Sequence, residues 1–144
     1  AGMSKEEIVA ACNARCPDTL METLGIIYTD AGENWLQGEM TVTQGHLQPM
    51  GLLHGGATLS LAETLGSAAS HVFLRDPVGY AAVGLSIQAN HIKSAHLGDR
   101  VIATAKMLHK GRRTHVVEVR VTLAGGELVS FVTMTNAIIQ RPSA

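Results

Sequence analysis

Aromatic and charged side chains are both scarce in this 144-residue chain: it holds two Phe, two Tyr and one Trp, and Asp, Glu, Lys and Arg together make up 16%. With 46% hydrophobic residues it is too apolar for a disordered chain, yet it lacks the unbroken apolar run that a membrane span needs. Neither sign of charge dominates. Eleven basic against twelve acidic residues give a formal charge of −1, so the overall field offers nothing to nucleic acid or to an anionic membrane. Cysteine is nearly absent; Cys12 and Cys16 stand four apart, forming neither a CxxC pair nor half of a zinc site. No structural disulfide is expected, and a reducing cytoplasm is the default compartment. The N-terminus shows no charged segment followed by an apolar one, and Ala1-Gly2 ahead of Met3 reads as a tag remnant. Direct search finds no GxSxG, GxGxxG, GxxxxGK[ST], HExxH or EF-hand loop, which removes the common signatures of serine hydrolases, nucleotide enzymes and zincins. The seven histidines have no repeating ligand spacing, so no metal and no separate cofactor are expected.

What is present fits one domain over residues 1–144, without repeats or linkers. Ser4 and Glu7 form a capping-box pair that opens an N-terminal helix within residues 1–17, stopped by Pro17. A short helical turn over 18–24 ends at Gly25. Period-two alternation predicts strands at 26–31 and 34–43 around an Ala31-Gly32-Glu33 turn, with Leu36, Met40 and Val42 on one face. Further strands are predicted at 81–93, 99–109, 113–124 and 127–139, the last two joined by the tight-turn pair Gly125-Gly126. Only residues 55–74 combine helical period with high apolarity. On a helical wheel Leu61, Leu65, Ala68 and Val72 fall together, opposite Gly56, Ser60, Glu63, Gly66, Ser67 and Ser70. Five or six antiparallel strands and one long apolar helix imply an α+β fold whose curved sheet wraps that helix.

Two stretches carry chemistry. The first, Gln48 to Gly56, ends where the long helix begins; a helix N-terminus offers unpaired N–H groups, and Gly55 lets a substrate oxygen come close to them. That is one way to build an oxyanion hole. Glu63 stands mid-helix with no Lys or Arg between His54 and Arg75, so a functional carboxylate is the better account than a structural ion pair. Gly55 and Glu63 are separated by eight residues, or ~12 Å along a helix. One carbonyl cannot touch both. If both act on it, they come from different subunits, and the protein is a homodimer at least with shared sites. Ser67, one turn after Glu63, can bond in the same pocket or simply allow close packing. The second stretch is His109, Lys110, Gly111, Arg112, Arg113 and Thr114, either a solvated turn or a seat for the phosphates of coenzyme A. His91, Ile92, Lys93 and Ser94 could add a positive group near the same mouth.

Three segments, QPMGLLHGGATLSLAETLGS (48–67), VGLSIQANHIKSA (83–95) and HKGRRT (109–114), resemble in sequence and spacing the hotdog-fold acyl-CoA thioesterases of the phenylacetate-degradation type. The likeness spans roughly residues 18–139. It implies a hotdog fold, with Glu63 as nucleophile or general base. It further implies that the Gly55 N–H, with Gln48 and His54, polarises a thioester carbonyl, and that Ser67 and His91 assist water or the leaving group. Gly84, His91 to Ser94 and His109 to Thr114 would contact the acyl-CoA, and the assembly would be a dimer of dimers. Coenzyme A then enters only as part of the substrate, with an acyl-carrier protein as the alternative thiol end and an aromatic acid as the expected acyl group. A thiolate leaves readily, so one ionised carboxylate and one oxyanion site suffice. Two other readings remain at this level: a non-catalytic acyl-CoA-binding protein on the same fold, and a hotdog dehydratase or hydratase.

Overall fold

In the computed structural model, residues 2–142 are described; Ala1, one of the two residues read as a tag remnant, lies outside them with Ser143 and Ala144. The Ser4 side chain accepts from the Glu7 N–H at 3.2 Å and Glu7 Oε1 accepts from the Ser4 N–H at 2.9 Å, the reciprocal cap expected at the start of helix α1 (Lys5–Ala14). After the short α2 (Leu20–Leu24), Gly25 takes the left-handed conformation at φ 75° and turns the chain into strand β1 (Ile27–Gly32). Asn13 ties α1 to that strand: its amide exchanges two hydrogen bonds of 2.9 Å with the backbone of Tyr28, as a neighbouring strand would.

Strand β2 (Trp35–Thr41) follows at once. Pairing continues through Ala31–Leu36 and Gly32–Trp35, so the turn is Glu33-Asn34 and not the expected Ala31-Gly32-Glu33. Asn34 accounts for the difference, because it adopts φ 63°, which asparagine tolerates better than most residues. The long helix α3 (Gly55–Val72) ends two residues short of the expected span. Strands β3 (Tyr80–His91), β4 (Arg100–Lys110), β5 (Thr114–Leu123) and β6 (Leu128–Gln140) then complete one antiparallel sheet in the order β1-β2-β4-β5-β6-β3. Helix α3 packs against all of β2 to β6, the arrangement of a sheet curved around one helix. Leu36 and Met40 face it from β2, Val42 from just beyond that strand, and Val117, Val119 and Val121 from β5, all fully buried as their period-two spacing predicts. The two edges differ. β1 is dressed by α1, whereas the outer edge of β3 is uncovered and carries the exposed Val83 and Leu85.

The helix is rotated from its expected setting. Its buried side is Thr58, Leu61, Ala62, Leu65, Gly66, Ala69 and Ser70, while Ala68 and Val72 are only half-buried. Apolarity alone misplaces that face because two small residues let the helix descend onto the sheet. A Cβ at position 66 would run into Met134 Sδ on β6, so Gly66 is there for close approach. Ser70 is buried but satisfied: its Oγ lies 2.7 Å from Asn136 Nδ2 and 3.1 Å from His115 Nδ1. Burial, with the positive neighbours Lys110, His109 and Arg75, holds His115 below the ordinary histidine value.

A depressed histidine binds its proton in the unfolded chain first as pH falls. The stability it supports is therefore complete above about pH 6.5 and is lost below it. Thermal melts across that range should show Tm falling on acidification, and His115→Gln should flatten the fall. Equal acid sensitivity in both proteins would mean that another group is responsible. Among the described residues no helix is long and apolar enough to cross a membrane.

Candidate active site

Helix α3 sets the site because it exposes functional groups at its start and along its outer face. His54 caps it, accepting the Gly56 N–H on Nδ1 at 2.8 Å, and the 54 and 57–58 backbone closes the first turn. That leaves the Gly55 N–H with no acceptor among the described residues. It opens into a small cavity of about 200 Å³ that also contains Gln48 and the His91, Ile92, Lys93 and Ser94 run. Gln48 is oriented by its own loop. Its Oε1 accepts from the Met50 and Leu52 N–H groups, which turns the amide NH₂ outward as a donor. His91 lies across the cavity with Nε2 against Gly55, where an added Cβ would stand 2.9 Å from it. The chain thus brings Gln48, Gly55 and His91 together as expected, and His54 borders them as the cap.

Glu63 is elsewhere. Its carboxylate is exposed, has no hydrogen-bond partner among the described residues, and lines an open groove of about 980 Å³ between α1 and the outer face of α3. Within the single chain the carboxylate therefore carries no burial cost. Ser67 shares the groove one turn on, and Gly84 adjoins it: a Cβ there would lie 4.0 Å from Glu63 Oε2. The groove wall was not anticipated. Ile8, Cys12 and Met21 from α1 and α2 face Ala68, Val72 and Phe73, giving the carboxylate an apolar neighbourhood. Burial raises the Cys12 thiol above its ordinary value, so it stays protonated and inert at neutral pH.

The basic turn lies at the far end of the molecule. Arg75, just past the end of α3, donates to the Lys110 carbonyl at 3.2 Å, and the Arg113 carbonyl accepts from Ile138 at 2.8 Å, beside the Tyr80 end of β3. His91 stands at the opposite end of that strand, paired with Ser130, roughly 35 Å away. Within one chain, His91 to Ser94 and His109 to Thr114 do not share a mouth, contrary to expectation. Lys110 rests over the Phe73 ring at 6.0 Å, while Arg112 and Arg113 are exposed and form no ion pair among the described residues. His109 packs its ring against Gly111, and Thr114 closes the turn by accepting the Gly111 N–H at 2.9 Å.

Comparison with known proteins covers the same part of the chain. Residues 50–130, which include the helix cap, Glu63, Gly84, His91 and the basic turn, match the model of the thioesterase superfamily. The chain belongs to that family. The proofreading thioesterase EntH of Cronobacter sakazakii is 42% identical over 109 residues, covering 76% of this chain and 77% of the relative. A mutant of thioesterase PA1618 from Pseudomonas aeruginosa superposes with a TM-score of 0.88 at 34% identity, over 92% of this chain and 94% of that one. The PaaI protein of the E. coli phenylacetic acid degradation operon superposes with a TM-score of 0.80 at 26% identity, over 94% and 96%. The fold is therefore the hotdog fold, and this thioesterase-superfamily chain is a thioester hydrolase. Of the three readings left open by the sequence, the hydrolytic one stands.

Two polar residues beside the candidate residues were missed, Ser130 against His91 and Asn136 against Gly84, both on β6. Both face inward at period-two positions shared with Val132 and Met134, and both are buried. A polar residue at an inward position of an apolar strand is the signal that could have found them.

Proposed function

We propose that the protein hydrolyses acyl-CoA thioesters, with an aromatic acyl group preferred, at sites shared between two copies of the chain. The observation that carries this reading is that the two halves of the machinery open into different cavities. Gly55 and Glu63 are eight residues apart on one continuous helix, ~12 Å, so neither can reach the other's carbonyl within one chain. The bare edge of β3 supports a two-fold partner: antiparallel pairing of that edge would set the His91 end of one β3 beside the Tyr80 end of the other. The same pairing would bring the basic turn of one subunit toward Lys93 of the partner subunit, giving coenzyme A one mouth after all.

In the proposed reaction the thioester carbonyl oxygen accepts from Gly55 of the partner subunit, with the outward amide of Gln48 and the imidazole of His54 beside it. His54 is well placed to donate, since Nδ1 is occupied by the Gly56 N–H and Nε2 carries the proton. Glu63 either removes a proton from water, which adds to the carbonyl carbon, or adds directly and forms an anhydride that water then opens. In both routes the C–S bond breaks with its electron pair on sulfur, and the products are the carboxylic acid and the CoA thiol. Ser67, beside Glu63, and His91, beside Gly55, would assist the water or the leaving thiolate. A dimer of dimers and cytoplasmic residence with free thiols complete the proposal.

The test is thiol release from benzoyl-CoA and from the benzoyl thioester of N-acetylcysteamine, which lacks the nucleotide. Replacing Arg112 and Arg113 together by alanine should raise KM for the CoA ester about tenfold and leave the short thioester within about twofold. Equal changes on both would separate the turn from the nucleotide. No thiol release from any aromatic or aliphatic CoA ester would overturn the proposed function.

A further inference from the structure

The Ser130 hydroxyl is wholly buried between two groups, 3.2 Å from the Asn90 carbonyl oxygen and 3.0 Å from His91 Nδ1. The carbonyl can only accept, so the one hydroxyl proton is committed to it and Ser130 Oγ meets His91 as an acceptor. The ring proton of His91 therefore sits on Nδ1, and the neutral ring turns a bare lone pair on Nε2 toward Gly55. His54, on the other side of Gly55, is held in the opposite tautomer by the Gly56 N–H.

Of the other polar groups lining the small cavity, the Gly55 N–H, the outward amide of Gln48 and the Lys93 ammonium are donors, while the Thr58 and Ser94 hydroxyls can turn to donate or to accept. His91 Nε2, fixed in this tautomer, can only accept. A ligand that satisfies the set must offer a carbonyl oxygen to the donors and an N–H to His91. A thioester of a cysteamine-type thiol has both, because an amide N–H follows its sulfur after two methylenes. A simple alkyl thioester has only the first.

We propose that Ser130 is a positioning residue that holds His91 as an acceptor, so that the site reads the first amide N–H of the thiol arm. The acyl-CoA thioesters already proposed carry that N–H, and thioesters of thiols without it would be the poorer substrates. This inference rests on the proposed thioester hydrolysis and adds the atom that recognises the thiol side.

The test compares two benzoyl thioesters at about pH 8, where an ordinary imidazole is neutral. One is the N-acetylcysteamine thioester; in the other the amide N–H is replaced by an ester oxygen, as in the thioester of 2-mercaptoethyl acetate. The unmodified enzyme should favour the amide about tenfold in kcat/KM. Ser130→Ala frees the ring to move its proton to Nε2, and the preference should fall toward unity. Equal kcat/KM on both thioesters in the unmodified enzyme would overturn the inference. Independently of turnover, long-range ¹⁵N–¹H spectra of the unmodified protein should show His91 protonated on Nδ1, the signal being identified by its loss in His91→Gln. An Nε2–H ring would overturn the inference even if the kinetics agreed. Failure to hydrolyse either thioester would count against the proposed hydrolysis, and the spectra would still decide the state of His91.

Discussion

Glu63→Gln is expected to lower kcat on a CoA ester by about two to four orders of magnitude while KM and Tm change little. The reasoning is local. The Glu63 carboxylate is exposed in the chain and bonded to nothing among the described residues, so exchanging an oxygen for an NH₂ of the same shape removes no structural contact. What it removes is the negative charge, and with it both routes open to the residue. An amide can neither take a proton from water nor add to a carbonyl. Steady-state kinetics on benzoyl-CoA measure the effect, and undiminished turnover would reject Glu63 as the reacting group.

An experiment of comparable size tests the shared site. Gly55→Pro should inactivate the enzyme, because it deletes the N–H that opens into the small cavity. The substitution suits the backbone, although its added Cβ would stand 2.9 Å from His91 Nε2 and push that ring aside within the same half of the site. Position 55 is the first residue of α3, where proline is favoured, and His54 already has ψ 131°, the conformation that a following proline requires. Glu63→Gln and Gly55→Pro subunits, each inactive alone, should recover activity when dissociated, mixed and reassociated. Half the reassociated dimers would be hybrids with one intact site of two, which predicts about a quarter of the unmodified activity from an equal mixture. No recovery in verified hybrids would place both groups in the same subunit's site and end the two-chain reading.

Much of the fold could be read from residue order because its signals were local and repeated. The capping pair Ser4 and Glu7, the alternation of Val117, Val119 and Val121, and the glycine pair before β6 each specify a neighbour a few residues away. The turn at Asn34 was displaced because a single left-handed residue outweighed Gly32, two positions before it. The orientation of α3 was misread for a deeper reason. Gly66 and Ser70 look like the wet side of a helix until Met134 and Asn136 arrive from a strand more than sixty residues on, and no local pattern encodes that meeting. Helix-borne groups such as Gly55 and Glu63 could be found because their spacing along one rod is fixed by the helix itself. Ser130 could not be found that way. Its importance comes from a contact with His91 across two strands, 39 residues apart in sequence. The basic turn shows the same limit, since distance along the chain did not reveal that it lies at the opposite end of β3 from Lys93.

The uncovered rim of β3 carries a consequence for how much catalysis a given quantity of protein can deliver. A hydrolase assembled by joining two such rims works in proportion to its pairs, so dilution should cost it more than the dilution factor once copies begin to separate. Abundance would then act as a throttle: sparse expression leaves thioesters nearly untouched, and a modest rise in copy number switches their turnover on steeply.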